Sequence, residues 1–305
     1  MNQSKLTPFE FLHPRYWLTW AGIGIIRLVC LLPLTMRWRF GTGLGVLAYQ
    51  VARKRRHIVQ TNINLCFPEL SESARRQLVK DNFRSSGISI METAIAWFGD
   101  TRKFIDIVDI NGLEVLRQAK IEGKGVLLLG MHLSSLDFCG AALSRFEPFN
   151  VMYRQNKNRL FEAIMTQGRE RNFDSAIERD NVRGVIRRLK QGGVVWYGPD
   201  QDYGHKHSIF AGFFGVEAAT LTATARIIRM TGSPIIVFSH YRDLTTGRYQ
   251  IYLRRLDNEY PTGDDTADGK HINKVVEDAV RKAPEQYWWL HRRFKTRPPG
   301  QSKLY

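Results

Sequence analysis

A histidine and an aspartate directly follow an apolar stretch of strand length, in the run GVLLLGMHLSSLD. On one continuous helix His132 and Asp137 would point about 140° apart, so they can converge only across a strand-to-helix turn. There the helix N-terminus favours an ionised carboxylate, which can fix the imidazole tautomer and raise the basicity of its other nitrogen. The pair therefore predicts a histidine general base that deprotonates a hydroxyl as it attacks an activated acyl group.

A pair with this spacing also arises by chance, so the position of His132 in the predicted fold matters. It stands at the carboxyl end of a predicted strand, where open α/β sheets place their sites. Cys139 is near it in the chain, which raises a cysteine–histidine thiol enzyme as an alternative. A cysteine within a helix is more often a small core residue. His132 and Asp137 are therefore the candidate catalytic pair.

Five further polar residues are predicted to bind substrate. Asp200 and Asp202 follow the apolar stretch VVWY, where an aspartate-rich turn or Mg²⁺ ligands are the alternatives. Arg154 follows another strand end and suits a phosphate or carboxylate, although a plain surface arginine is the alternative. Arg292 and Arg293 stand near two tryptophans, a combination that suits a membrane interface, an anionic headgroup or nucleic acid. No nucleic-acid motif surrounds them, and we predict no metal site.

Apolar stretches of strand length alternate with stretches of helical spacing along most of the chain. Strands are predicted at 104–110, 125–131, 150–153, 194–197, 234–240 and 249–256. Helices are predicted at 44–60, 71–98 (with Ser71 as N-cap), from Leu136 onward, and at 157–170, 180–191, 218–231 and 270–282. This alternation predicts an α/β fold with a mostly parallel central sheet.

The composition is that of a globular protein, but the charge is unusual. Apolar residues make up 43% and charged residues 24% of the 305 residues, which excludes disordered, collagen-like and coiled-coil proteins. A mean hydropathy of -0.30 excludes a polytopic membrane protein. The net charge of +16 predicts an anionic partner: nucleic acid, anionic lipid or an acidic protein. The three cysteines have neither disulfide-scaffold nor zinc-site spacing, which favours a reducing compartment.

The N-terminal region contains a 19-residue apolar stretch, residues 16–34, whose single charge is Arg27. Its length is sufficient to cross the hydrocarbon core of a bilayer, and aromatic residues stand at its start. Arginines and lysines follow it, which places the remaining chain on the cytoplasmic side. A cleaved signal peptide, a buried core helix and a helix lying in the membrane interface are the alternatives. We expect membrane attachment, with spanning slightly preferred.

The sequence is similar to the lipid A biosynthesis late acyltransferases of Gram-negative bacteria. His132 and Asp137 resemble the HX4D/E motif of acyltransferases that acylate glycerolipids and lipid A. The other matching blocks, in chain order, are HPRYWLTWAGIG (13–24), INLCFPELSE (63–72), METAIAWF (91–98), YRQNKNRL (153–160), GRERN (168–172), VVWYGPDQDYG (194–204), FAGFFGVEAAT (210–220) and APEQYWWLHRRFKTRPPG (283–300). The first and last blocks most resemble the branch that transfers lauroyl or palmitoleoyl chains to Kdo2-lipid IVA.

The resemblance implies a glycerolipid acyltransferase-like fold, with a membrane-anchoring segment over 1–43 and an acyltransferase domain over 44–305. It assigns His132 as general base, Asp137 as its orienting acid, and Arg169 as a catalytic arginine that stabilises an oxyanion or holds a lipid phosphate. A solvated helix arginine at this position and Arg171 in the catalytic role are the alternatives.

The resemblance also implies the reaction partners. They are an acyl-acyl carrier protein as donor, Kdo2-lipid IVA as acceptor in lipopolysaccharide biosynthesis, and the lipids of the inner membrane. It implies no cofactor. The acidic carrier protein is also consistent with the net charge of +16.

Three other functions remain as alternatives. A glycerolipid or phosphatidylinositol mannoside acyltransferase would use the same histidine–aspartate motif. A membrane-attached basic binding protein would carry a decayed site. A nucleic-acid-binding protein would explain the charge, but the N-terminal apolar stretch argues against it, and we predict no nucleic-acid partner.

Overall fold

Nine strands form one large sheet and a separate hairpin in the computed structural model, which describes residues 8–257 and 259–305. The strands are β1 (Val108–Asn111), β2 (Val126–Gly130), β3 (Asn150–Tyr153), β4 (Ala176–Glu178), β5 (Val194–Tyr197), β6 (Ser208–Phe213), β7 (Val216–Leu221), β8 (Ile235–Asp243) and β9 (Arg248–Arg255). The seven-stranded sheet has the order β1-β9-β8-β2-β5-β3-β4. All its neighbours pair in parallel except β8 and β9, so the predicted mostly parallel α/β fold is confirmed.

Ten α-helices flank the sheets within the described residues. They are α1 (Trp17–Val29), α2 (Leu34–Val51), α3 (Arg53–Cys66), α4 (Glu72–Phe98), α5 (Leu113–Ile121), α6 (Leu136–Leu143), α7 (Arg159–Glu170), α8 (Val182–Lys190), α9 (Ala223–Thr231) and α10 (Asp265–Lys282). The predicted cap of α4 is confirmed, since Ser71 Oγ accepts a hydrogen bond from the Ala74 amide at 3.2 Å.

The central strands are buried on both faces, which explains why they are continuously apolar. Leu127 and Leu129 of β2 contribute to the core on one side of the sheet, and Val126 and Leu128 to the core on the other. Alternate residues of a strand point to opposite faces, so a strand covered on both sides has no polar positions. This burial fixes the position of the carboxyl end of β2, and His132 follows two residues after that end.

Three predicted elements differ in the structure. The predicted strand over 104–110 is mostly a 3₁₀-helix (Thr101–Ile107), and the strand β1 begins only at Val108. The predicted helix over 44–60 is divided between α2 and α3, with non-helical Ala52 between them. The predicted helix over 218–231 begins only at Ala223, because residues up to Leu221 pair with β6 in a hairpin. The hairpin turn is made by Phe214 and Gly215, both of which have positive φ, as a tight hairpin turn requires.

The predicted membrane-spanning helix over 16–34 is wrong. The helix α1 ends at Val29, and Pro33 caps the start of the separate helix α2. A proline has no amide hydrogen and disfavours a helical residue before it, so one helix cannot run through this position without a break. Among the helices within residues 8–257 and 259–305, none is both long enough and apolar enough to cross a membrane.

The long helix α4 packs against α2 at unusually close range because both helices carry glycines at the contact. A β-carbon on Gly87 would lie 2.1 Å from the carbonyl oxygen of Gly41, and one on Gly45 would lie 2.2 Å from that of Phe83. Such distances are far inside van der Waals contact, so only glycine permits this approach. The packing fixes α4, whose buried polar side chains face the sheet.

Candidate active site

His132 and Asp200 come together because the strands that precede them are hydrogen-bonded neighbours. Leu129 of β2 pairs with Tyr197 of the parallel strand β5. His132 and Asp200 each lie three residues beyond that pair, so both follow the same edge of the sheet. This is the carboxyl edge, where α/β folds place their sites.

The carboxylate of Asp200 holds His132 at two points. Its Oδ1 lies 2.6 Å from the ring Nδ1, and its Oδ2 accepts the backbone amide of His132 at 2.9 Å. Asp200 is only 2% exposed, whereas the His132 side chain is 28% exposed. A buried carboxylate on Nδ1 selects the tautomer in which Nδ1 carries the proton and Nε2 is free to accept one.

The hydrogen bond to the His132 ring therefore comes from a different residue than the sequence predicts. The sequence predicts that Asp137 bonds to His132, but the hydrogen bond to its ring is made by Asp200, which was predicted to bind substrate. Asp137 instead accepts a hydrogen bond from Arg169 Nε at 3.2 Å. The signal that could have identified Asp200 was its place after an apolar strand, three residues beyond the end of VVWY.

The environment of the pair favours its charged form. Burial lowers the pKa of His132, but the charge and hydrogen bond of Asp200 outweigh it, so the pKa lies above its ordinary value. Burial alone would raise the pKa of the Asp200 carboxyl. The charge and hydrogen bonds of His132 outweigh burial, so the pKa of Asp200 lies below its ordinary value. The imidazole is therefore a stronger base than free histidine.

Asp137 and Arg169 form a second pair beside the first. Asp137 lies in the first turn of α6, and Arg169 lies in the last turn of α7. Their side chains are 17% and 19% exposed, so both remain partly accessible. The structure thus brings three predicted residues, His132, Asp137 and Arg169, to the same end of the sheet. The Arg169 guanidinium keeps donors beyond the one that Asp137 uses.

An apolar cavity of about 30 Å³ lies beneath the Asp137–Arg169 pair. Phe149, Phe173 and Trp196 are among its lining residues. A small cavity with aromatic walls suits hydrocarbon rather than water.

Trp196 and two glycines shape the space around His132, and sequence reasoning missed all three. The rings of Trp196 and His132 meet edge to face with centroids 5.8 Å apart. A β-carbon on Gly198 would lie 3.0 Å from His132 Cε1 and 2.9 Å from the Trp196 ring. One on Gly130 would lie 2.1 Å from Trp196 Nε1. These glycines therefore make room for both rings.

Other predicted substrate-binding residues have structural partners. Asp202 is 4% exposed and accepts hydrogen bonds from the amide of Thr296 at 2.6 Å and its hydroxyl at 2.8 Å. Arg293 is 2% exposed and donates to the carbonyl of Ala219 at 2.7 Å. These hydrogen bonds connect Arg293 and Thr296, near the C-terminus, to the rest of the fold.

Arg154 and Arg292 are exposed, in agreement with either a substrate-binding or a plain surface position.

The thiol alternative does not fit the structure. Cys139 is fully buried in the core behind the sheet. Burial and nearby Glu92 raise the pKa of its thiol well above the ordinary value, so the nucleophilic thiolate is disfavoured.

The sequence is similar to known proteins over nearly its whole length. The profile of the family described as "Bacterial lipid A biosynthesis acyltransferase" matches residues 6–296. The chain is 42% identical over 295 residues to the lipid A biosynthesis lauroyltransferase of Escherichia coli K12, with 96% of each chain covered. It is 39% identical over 297 residues to the palmitoleoyltransferase of the same strain, with 97% of each covered. The myristoyltransferase of that strain is 29% identical over 310 residues, which cover 100% of this chain and 96% of the relative.

Proposed function

Because the chain belongs to the bacterial lipid A biosynthesis acyltransferases and is therefore an acyltransferase, we propose that it acylates Kdo2-lipid IVA. The donor is an acyl-acyl carrier protein, and the acceptor is a hydroxyl on an acyl chain that the lipid already carries. The observation that supports this reaction best is the buried carboxylate of Asp200 on Nδ1 of the partly exposed His132.

The His132–Asp200 pair acts as the general base. Nδ1–H donates to Asp200, and Nε2 takes the proton from the acceptor hydroxyl. The hydroxyl oxygen attacks the thioester carbonyl carbon and forms a tetrahedral oxyanion. The carbon–sulfur bond then breaks, and the imidazolium returns the proton to the departing thiolate. The products are an ester and the free thiol of the carrier. Asp200 stabilises the imidazolium that forms between these two steps.

Arg169 supplies positive charge next to this base. Asp137 occupies its Nε, and the remaining guanidinium donors can stabilise the oxyanion or hold an acceptor phosphate. Asp137 thereby acts as the residue that orients Arg169, a role different from the one predicted for it. The aromatic cavity beneath the pair is apolar enough for the end of an acyl chain.

An activity assay on purified protein tests this function. Kdo2-lipid IVA is offered with acyl carrier proteins bearing C10 to C16 chains, and product masses are measured. We expect one added acyl chain, from one or two preferred donors. A glycerol phosphate or phosphatidylinositol mannoside acceptor is run in parallel. Acylation of that acceptor alone would replace the proposed function with the glycerolipid alternative.

We also propose that α1 and α2 attach the protein to the cytoplasmic face of the inner membrane by lying in its interface. Leu18, Ile25 and Leu28 of α1 are 87%, 55% and 67% exposed, and their spacing puts them on one helical face. Leu31 and Met36 extend the exposed apolar surface beyond α1. Such a surface with basic residues nearby suits anionic lipid.

Replacing Leu18 and Leu28 together by glutamate is expected to weaken binding to anionic vesicles at least tenfold. Transfer of one leucine side chain out of water contributes about 1.5–3 kcal/mol of binding free energy, and the glutamate variant loses this contribution at both positions. Co-sedimentation with phosphatidylglycerol-containing vesicles measures the effect. Ile121→Glu is the matched control, because Ile121 is 78% exposed on α5. Equal binding by the double variant and the control would contradict the proposed attachment.

A further inference from the structure

A buried ion pair lies behind the candidate site. Arg242 of β8 donates to both carboxylate oxygens of Glu92 on α4, at 2.8 Å each. The two side chains are 2% and 1% exposed. Tyr249 adds a hydrogen bond from its hydroxyl to Glu92 at 2.6 Å. Glu92 belongs to the METAIAWF block, to which the proposed reaction assigns no role.

Stability alone is a weak reason for such a pair. The cost of removing two charges from water often exceeds their attraction, and apolar residues of similar size are frequently as stable. An arginine held in a buried ion pair does have one firm property, which is that the other donors of its planar guanidinium point in set directions. The residues that these donors reach are therefore informative.

The second terminal nitrogen of the Arg242 guanidinium connects the ion pair to the loop that contains His132 and Ser134. Its Nη2 donates to Ser85 Oγ at 2.7 Å, and Ser85 in turn donates to Ser134 Oγ at 3.0 Å. Ser134 lies two residues after His132. A continuous chain of hydrogen bonds thus runs from Glu92 to the loop that carries the proposed base.

Backbone contacts hold the same loop from the other side. The Gln286 side chain bonds to both the amide and the carbonyl of Arg242, at 2.9 Å each. The carbonyl of Gln286 accepts the Ser134 amide at 2.7 Å, and the amide of Trp288 donates to the His132 carbonyl at 2.9 Å. Arg242 is therefore linked to this loop by hydrogen bonds through two residues, Ser85 and Gln286.

We propose that Ser85, aligned by the Arg242–Glu92 pair, is a positioning residue that sets His132 for proton transfer. The inference rests on the proposed function, since it assumes that His132 is the base. Ser85 touches no reacting atom and acts through Ser134. Loss of its hydroxyl leaves the ion pair in place but disconnects it from the loop, so the imidazole is less well aligned with the acceptor hydroxyl.

The α4 helix offers a matched control for this role. Ser89 is also a buried serine of α4, and its hydroxyl donates to the carbonyl of Ser86 within the same helix at 2.9 Å. Ser85→Ala and Ser89→Ala therefore remove the same atom from the same helix. We expect Ser85→Ala to lower kcat about tenfold with KM within twofold. Ser89→Ala should leave both parameters within twofold of the unchanged enzyme.

Two further variants separate positioning from general loosening. Ser134→Ala breaks the same connection, so the double variant Ser85→Ala/Ser134→Ala should lose no more activity than either single variant. In a His132→Ala background, Ser85→Ala should have no further effect on the residual rate. A merely structural role would lower that residual rate as well.

The outcomes are distinct. Full kcat in Ser85→Ala, equal losses in Ser85→Ala and Ser89→Ala, or a further loss in the His132→Ala background each overturn the positioning role alone. A His132→Ala enzyme with full activity overturns the proposed general-base mechanism and this inference together, whereas an unchanged enzyme that does not acylate Kdo2-lipid IVA overturns the proposed function.

Discussion

Replacing His132 by alanine is expected to reduce acyl transfer about 10²- to 10⁴-fold, the range that a positioned general base contributes. The loss should appear in kcat, because the imidazole acts on the proton that moves during the reaction. Its replacement removes no large contact surface for either substrate. Steady-state rates with the preferred acyl donor measure it.

An exposed histidine provides the control for that variant. His205 is exposed and takes part in none of the contacts described for the candidate site, so His205→Ala should keep the activity of the unchanged protein. Thermal unfolding of both variants checks that each is folded. A folded His132→Ala protein that retains more than about a tenth of the activity would contradict the general-base role.

The second large effect is expected from Asp200→Asn, which should lower kcat about 10²-fold or more. The carboxylate accepts from both the ring and the amide of His132. An amide has one oxygen, so one of these donors would face an NH₂ group. Asparagine also brings no negative charge to stabilise the imidazolium.

The pH dependence of this variant has a definite sign. Asp200 is what raises the pKa of His132 against the opposing effect of burial. With its charge removed, burial prevails and the pKa falls, so the imidazole stays neutral to lower pH. The acid limb of the kcat/KM profile should therefore move to lower pH while the maximum rate drops. An unshifted limb would contradict the pairing.

Asp202→Asn is the matched control, because it changes a second buried aspartate in the same loop. Asp202 bonds to Thr296 instead of His132. We expect lower thermal stability from this variant but an acid limb at the same pH as in the unchanged enzyme.

Local sequence patterns predicted the elements well where short-range forces dominate. The strands over 150–153 and 194–197 have the bounds that were predicted. The second is an uninterrupted apolar stretch, and all four of its residues are buried, as expected of a strand covered on both faces. The prediction is wrong at residues 218–221, which were predicted to begin a helix but belong to the hairpin strand β7. Pairing with β6 decides that conformation, and the partner strand is not visible in the local pattern.

Side-chain burial was similarly beyond the reach of local patterns. Arg293 and its neighbour Arg292 look equivalent in the sequence, yet one is 2% exposed and bonded to a carbonyl of the hairpin while the other is exposed. Glu92 gave no sign that it would meet an arginine 150 residues away.

The sequence by itself determined that a histidine follows a buried parallel strand and that the fold is α/β, because both depend on residue types over a few consecutive positions. Only the tertiary structure decided which acid holds His132. Asp137 is five residues away but belongs to a helix that turns it toward Arg169, whereas Asp200 is 68 residues away and arrives through the pairing of β2 with β5. Hydrogen bonds form between groups that the fold brings within about 3 Å, and distance along the chain does not measure that.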